Sequence, residues 1–125
     1  MTYAELFKRI EASKFRRRFH LNAQDIAYID NKGLDVIRSH CQDFIATRLA
    51  VAHPLNDGAQ TPMHGHPVFV AQHACACCCR GCLEKWYHVK KGVALTPLQQ
   101  EKIVNLLMKW IEKEYNEFKH KKSPK

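Results

Sequence analysis

Five of the six cysteines fall within ten positions, in the stretch HACACCCRGC from His73 to Cys82. Thiolate and imidazole are the ligands that zinc and iron prefer, and a Cys-x-x-Cys turn lets two sulfurs converge on one ion. Cys79, Arg80, Gly81 and Cys82 have that spacing. Were the chain already helical there, Cys78 and Cys82 at i and i+4, or Cys79 and Cys82 at i and i+3, would share a face instead. A structural zinc site takes four ligands, and the usual ribbon brings a second Cys-x-x-Cys from some distance along the chain. This chain has no such distant partner, so the missing ligands are sought in His64 and His66 of MHGHP, in His73, or in the cluster itself. An extended backbone turns alternate side chains to one face, which aligns Cys75, Cys77 and Cys79 with His73 and sends Cys78 to the other side. The expected site is therefore Cys78 or Cys79 with Cys82, His73 and His66. Two rival readings stand beside it. One is a redox or sensor thiol pair, Cys79 and Cys82, with Arg80 and a helix N-terminus lowering a thiol pKa. The other is inert packing, since free cysteine is among the most buried residue types.

The elements that must position this cluster read as mostly helical. Thr2 with Glu5 forms a capping box, and Leu6, Phe7, Ile10 and Phe15 follow at helical spacing, which predicts a first helix over about 3–15. Asn22 caps a second helix that stops at Gly33, where a left-handed C-terminal cap favours glycine. Leu34, Ile37, Cys41, Phe44, Ile45, Leu49 and Ala52 fall on one stripe and predict a third helix of about 18 residues ending near His53 and Pro54. Cys41 is core on that stripe. Residues 53–67, HPLNDGAQTPMHGHP, are turn chemistry. VFVAQ, 68–72, is β-branched and aromatic and predicts a strand or an extended lead into the cysteines. Leu83–His88 reads as a short helix, and Thr96 with Pro97 starts a last helix whose stripe is Ile103, Leu106, Leu107, Trp110, Ile111 and Phe118. The fold class expected is mainly α: a single small domain of about five helices over 1–119, with a short extended segment leading into a Cys/His cluster. The basic tail 120–125 is expected to be disordered.

The chain has 125 residues and a formal charge of +8, from 20 basic and 12 acidic side chains. That length buries one modest core. Such a charge attracts polyanions, with DNA or RNA as the default partner. In SKFRRRFH, Phe15 and Phe19 can anchor the segment while Lys14, Arg16, Arg17 and Arg18 reach phosphates, with Arg80 as a further contact; the plainer reading is a solvated helix end. Trp86, Trp110, Tyr115 and Phe118 read as core. His20, His40, His53, His88 and His120 stand alone on helices or their ends. MTYAELFKRIEASKF carries charges throughout with no apolar h-region, and no run is long enough to span a bilayer. The expectation is a cytoplasmic protein with no membrane partner, whose thiols stay reduced.

The motifs NDG at 56–58, QTP at 60–62, GHPVF at 65–69, AQHA at 71–74 and CCRGCLEKW at 78–86, with FRRRFHL and NKGLDVIRSH upstream, resemble the small bacterial proteins catalogued as domain of unknown function 4186. The resemblance covers nearly the whole chain. Cys75 and Cys77 stand where that family's pattern has threonine, and Tyr87 separates Trp86 from His88 where the pattern has histidine directly after the tryptophan. The resemblance thus implies that Cys75 and Cys77 are dispensable, puts a ligand role for His88 in doubt, and leaves His66, His73, Cys78, Cys79 and Cys82 as the site. It implies no activity.

The function expected is a metal-binding protein that associates with nucleic acid, with Zn2+ as cofactor and an iron-sulfur cluster as the alternative. A metal-dependent hydrolase or nuclease using Asp57, and a thiol redox or sensor protein, are the rival classes. Whether it is an enzyme stays open in the sequence.

Overall fold

The computed structural model describes residues 2–122. Six α-helices and no strand are found among them: α1 (Tyr3–Ala12), α2 (Ala23–Lys32), α3 (Leu34–Phe44), α4 (Pro67–Ala74), α5 (Arg80–Tyr87) and α6 (Pro97–Lys122). A 3-10 turn, Arg16–Arg18, follows α1, and α3 runs on into a π-helical turn, Ile45–Leu49.

Local chemistry sets the helix starts. Thr2 and Glu5, and Asn22 and Asp25, form reciprocal capping boxes on α1 and α2. Thr96 and Gln99 exchange the same pair of bonds at the start of α6, with Pro97 in its first turn. Gly33 at φ 88° ends α2 and begins α3, so the corner between the two takes a single residue.

Three expectations are corrected. VFVAQ is not extended: it lies inside α4, whose eight residues are all buried. Its run of apolar residues without alternation reflects a helix covered on every side, packed against α6, α3, α2 and the 3-10 turn. The first helix stops at Ala12, and Arg16–Arg18 forms a separate turn. The last helix continues through Lys122, so residues 120–122 of the expected disordered tail are helical; 123–125 lie outside the described residues.

The third apolar stripe holds: Ile37, Cys41, Ile45 and Leu49 are fully buried and meet Val68 and Ala71 of α4 and Leu107 and Ile111 of α6 in one core. Among the described residues no helix is long and apolar enough to cross a membrane.

Candidate metal centre

The cysteine segment is built by the end of one helix and the start of the next. Past α4 the chain closes a Schellman motif: Ala76 N–H donates to the His73 carbonyl (3.4 Å) and Cys77 N–H to that of Gln72 (2.8 Å). Ala76 takes the left-handed position, φ 58°, that glycine usually fills. This turn sends Cys75 and Cys77 into the core, both fully buried, and brings Cys78 and Cys79 to the start of α5. Burial pushes the Cys75 and Cys77 thiols far above their ordinary value and Cys41 up to about 12, so these three behave as small apolar side chains.

Cys79 is the N-cap of α5, and its Sγ accepts from Cys82 N–H at 3.4 Å. Cys82, one turn on, places its Sγ 3.3 Å from that of Cys79 and 3.6 Å from that of Cys78. All three sulfurs lie within 4.8 Å of one another. The expectation that Cys78 and Cys79 face opposite ways is thereby corrected, because it assumed an extended backbone where the chain turns. Bonds of about 2.3 Å to a tetrahedral ion set sulfurs about 3.8 Å apart, so three thiolates so placed can hold a metal ion.

Sequence reasoning missed the group that serves these sulfurs. Arg16, 8% exposed, reaches across from the 3-10 turn: Nη2 donates to Cys82 Sγ (3.1 Å), and Nη1 to Cys78 Sγ (3.6 Å) and to the His73 carbonyl (2.7 Å). A hydrogen bond from Cys82 and the Arg16 guanidinium, against the opposing effect of burial, bring the Cys78 thiol down to about 7. Its bond to Cys78, then burial, raises Cys82, and burial raises Cys79. Thr61 and Gln72 lock the turn from behind. Thr61 Oγ1 donates to the Cys78 carbonyl (2.8 Å) and Gln72 Nε2 to that of Cys77 (3.0 Å).

His66 and His73 do not join the sulfurs. His66 is the N-cap of α4: its Nδ1 accepts from Val68 N–H (3.0 Å), and its Nε2 faces His40 Nδ1 at 3.0 Å. A neutral imidazole whose Nδ1 accepts carries its proton on Nε2, so neither nitrogen is free for an ion. Burial, then His40, lowers His66 to about 4. His73 directs Nε2 to the Thr61 carbonyl (3.0 Å) and stacks on Phe19. Neither ring brings a nitrogen within 4.8 Å of all three sulfurs. Asp57 stands apart too, with Oδ1 accepting from Arg80 N–H (3.3 Å) at the start of α5 and from Gln60 Nε2 (3.1 Å).

Of the five basic residues expected to meet nucleic acid, Lys14, Arg17 and Arg18 are exposed. Arg16 and Arg80 are not, which corrects that part of the expectation. Arg16 is spent on the sulfurs, and Arg80, 1% exposed, gives its Nη hydrogens to the carbonyls of Leu49, Val51, Lys90 and Val93. Only the Nε–H of this guanidinium is left without a partner, and it is sealed from solvent, so no donor reaches a phosphate.

The family model for Domain of unknown function (DUF4186) matches residues 4–112, a span that holds the cysteines, Arg16, Thr61 and Gln72. The chain belongs to the DUF4186 family. No solved structure matches it. In this DUF4186 protein the candidate centre is the sulfur triad Cys78, Cys79 and Cys82 with one cationic side chain against it.

Proposed function

We propose that the protein binds a single Zn2+ through Cys78, Cys79 and Cys82. The observation that carries this reading is the convergence of three sulfurs at the α5 N-terminus with Arg16 donating to two of them. Three thiolates and Zn2+ sum to one negative charge, which a buried guanidinium neutralises; hydrogen bonds from such a neighbour orient and tune the ligands. An iron-sulfur cluster is less well served. No more than two of its thiolates share an iron and the others sit farther away, whereas all three sulfurs here lie within 4.8 Å of one another. The fourth ligand is a water or a group from a partner. On the same reading the protein associates with nucleic acid, through the exposed Lys14, Arg17 and Arg18.

The test is metal content per chain after purification without chelator. About one zinc is expected, lost in Cys79→Ser and in Cys82→Ser and kept in Cys41→Ala, which alters only the core. Metal-free wild type, or a Cys79→Ser/Cys82→Ser double variant that keeps full zinc, refutes the site.

A further inference from the structure

Beside the sulfurs, aromatic and basic side chains of the 3-10 turn, α1 and α5 come together, with Trp86 resting its inner side on the core. Phe15 is 44% exposed, and Trp86 is half-buried on α5, four residues after Cys82. The Arg16 guanidinium carbon stands between the two rings, 4.9 Å from the centre of Phe15 and 5.8 Å from that of Trp86. Arg9 covers Trp86 at 4.2 Å and is held there by a bond from Nη1 to the Trp86 carbonyl (2.8 Å). Arg18 approaches Phe15 at 5.8 Å. Lys14 and Arg17 are exposed on either side of Phe15 and Arg16 in the chain. Aromatic rings and guanidinium planes thus form one strip, edged by cations with no carboxylate partner among the ion pairs of the described residues.

We propose that this strip binds single-stranded nucleic acid, its bases stacking on Phe15 and on the Arg9–Trp86 pair while Lys14, Arg17 and Arg18 meet the phosphates. The inference rests on the nucleic-acid half of the proposed function and narrows it to one form of strand. A base offers a stacking face only when unpaired, and aromatic or guanidinium planes are what such a face recognises. A duplex hides its base faces and is read by an element long enough to enter a groove. Here the basic run is one 3-10 turn of three residues, with its first arginine pointing inward.

Fluorescence anisotropy with labelled 12-nucleotide single strands of DNA and RNA, and with the matching duplex, tests this on the full chain as purified. Three phosphate contacts predict a salt slope near −2 on a single strand, a loss of roughly 18-fold between 50 and 200 mM salt. Phe15→Ala should weaken single-strand binding about five-fold or more, and Arg17→Gln/Arg18→Gln should cut the slope to about one third. Lys121→Gln, exposed at the far end of α6, should change little beyond the loss of one general charge. Duplex bound as tightly as single strand, or Phe15→Ala binding like wild type, overturns the single-strand assignment while leaving nucleic-acid association standing. Binding to neither form, or only to anionic lipid vesicles, overturns both. Zinc content of the same samples reads the metal centre separately.

Discussion

Arg80→Met gives the most direct measure of what the arginine in CCRGC is for. The four carbonyls around its guanidinium lie at 2.7 Å (Val93), 2.8 Å (Val51), 3.0 Å (Lys90) and 3.4 Å (Leu49), and Nε alone lacks a partner. Hydrogen bonds to a charged group contribute about 1.5–3 kcal/mol each. Counting the three shorter ones gives roughly 4.5–9 kcal/mol in gross terms, from which two corrections are taken. Removing a buried cation recovers several kcal/mol of desolvation, and water can reach the backbone at the exposed Val51 and Val93. Methionine keeps much of the stem's packing, so the net loss should be about 3 kcal/mol, a large part of the ~5–15 kcal/mol typical of a domain. In urea at fixed zinc, with a slope near 2 kcal/mol/M, the midpoint should fall by about 1.5 M. Arg80→Lys, a point charge that reaches fewer carbonyls, should lie between. The salt slope of nucleic-acid binding should stay at its wild-type value in both variants, because the side chain is sealed. A midpoint shift below about 0.5 M, or a gain in stability, would refute the carbonyl-clamp argument by showing that desolvation outweighs the four bonds.

His66, held near 4 against an ordinary 6.5, takes up its proton later than the unfolded chain does. Its contribution is therefore complete above pH 6.5 and lost as the pH falls toward 4, by about 2 kcal/mol after solvent screening. Asn at this position keeps a capping oxygen without the titration, so the urea midpoint of His66→Asn should fall less between pH 7 and 4.5 than that of wild type; equal falls count against the assignment. In metal-free protein, Arg16→Met should move the alkylation midpoint of Cys78 up from about 7 by roughly one pH unit, read by iodoacetamide labelling and peptide mass. An unmoved midpoint would show that the guanidinium does not support the thiolate.

Helix ends were readable in the sequence wherever a short-range rule applies. Thr2–Glu5, Asn22, Gly33 and Thr96–Pro97 each act within a few residues, and each stands where the pattern puts it. The strand reading of VFVAQ failed because a short apolar run fits a helix buried all round as well as a buried strand. The better signal was Pro67, a first-turn proline behind a side chain able to cap. That error carried into the site. On an extended chain His73 aligns with alternate cysteines, whereas on α4 it points to Thr61 and leaves the sulfurs to the next helix start. Cys79 and Cys82 were legible from spacing alone. Arg16 was not, since more than sixty residues separate it from both sulfurs, and within RRR an inward arginine looks like its neighbours.

Five of the six thiols fall into two populations, with Cys78, 7% exposed, standing between them. Cys79 and Cys82 lie half-buried at the rim, whereas Cys41, Cys75 and Cys77 are sealed in the core. A thiol reagent can reach the sealed three only when the helices around them part, so their rate of labelling reports how often the core opens. Cys41 reads the α3 side and Cys75 and Cys77 the end of α4. The native chain thus carries its own gauges of local breathing at two places in one core, readable residue by residue by mass spectrometry without an introduced probe.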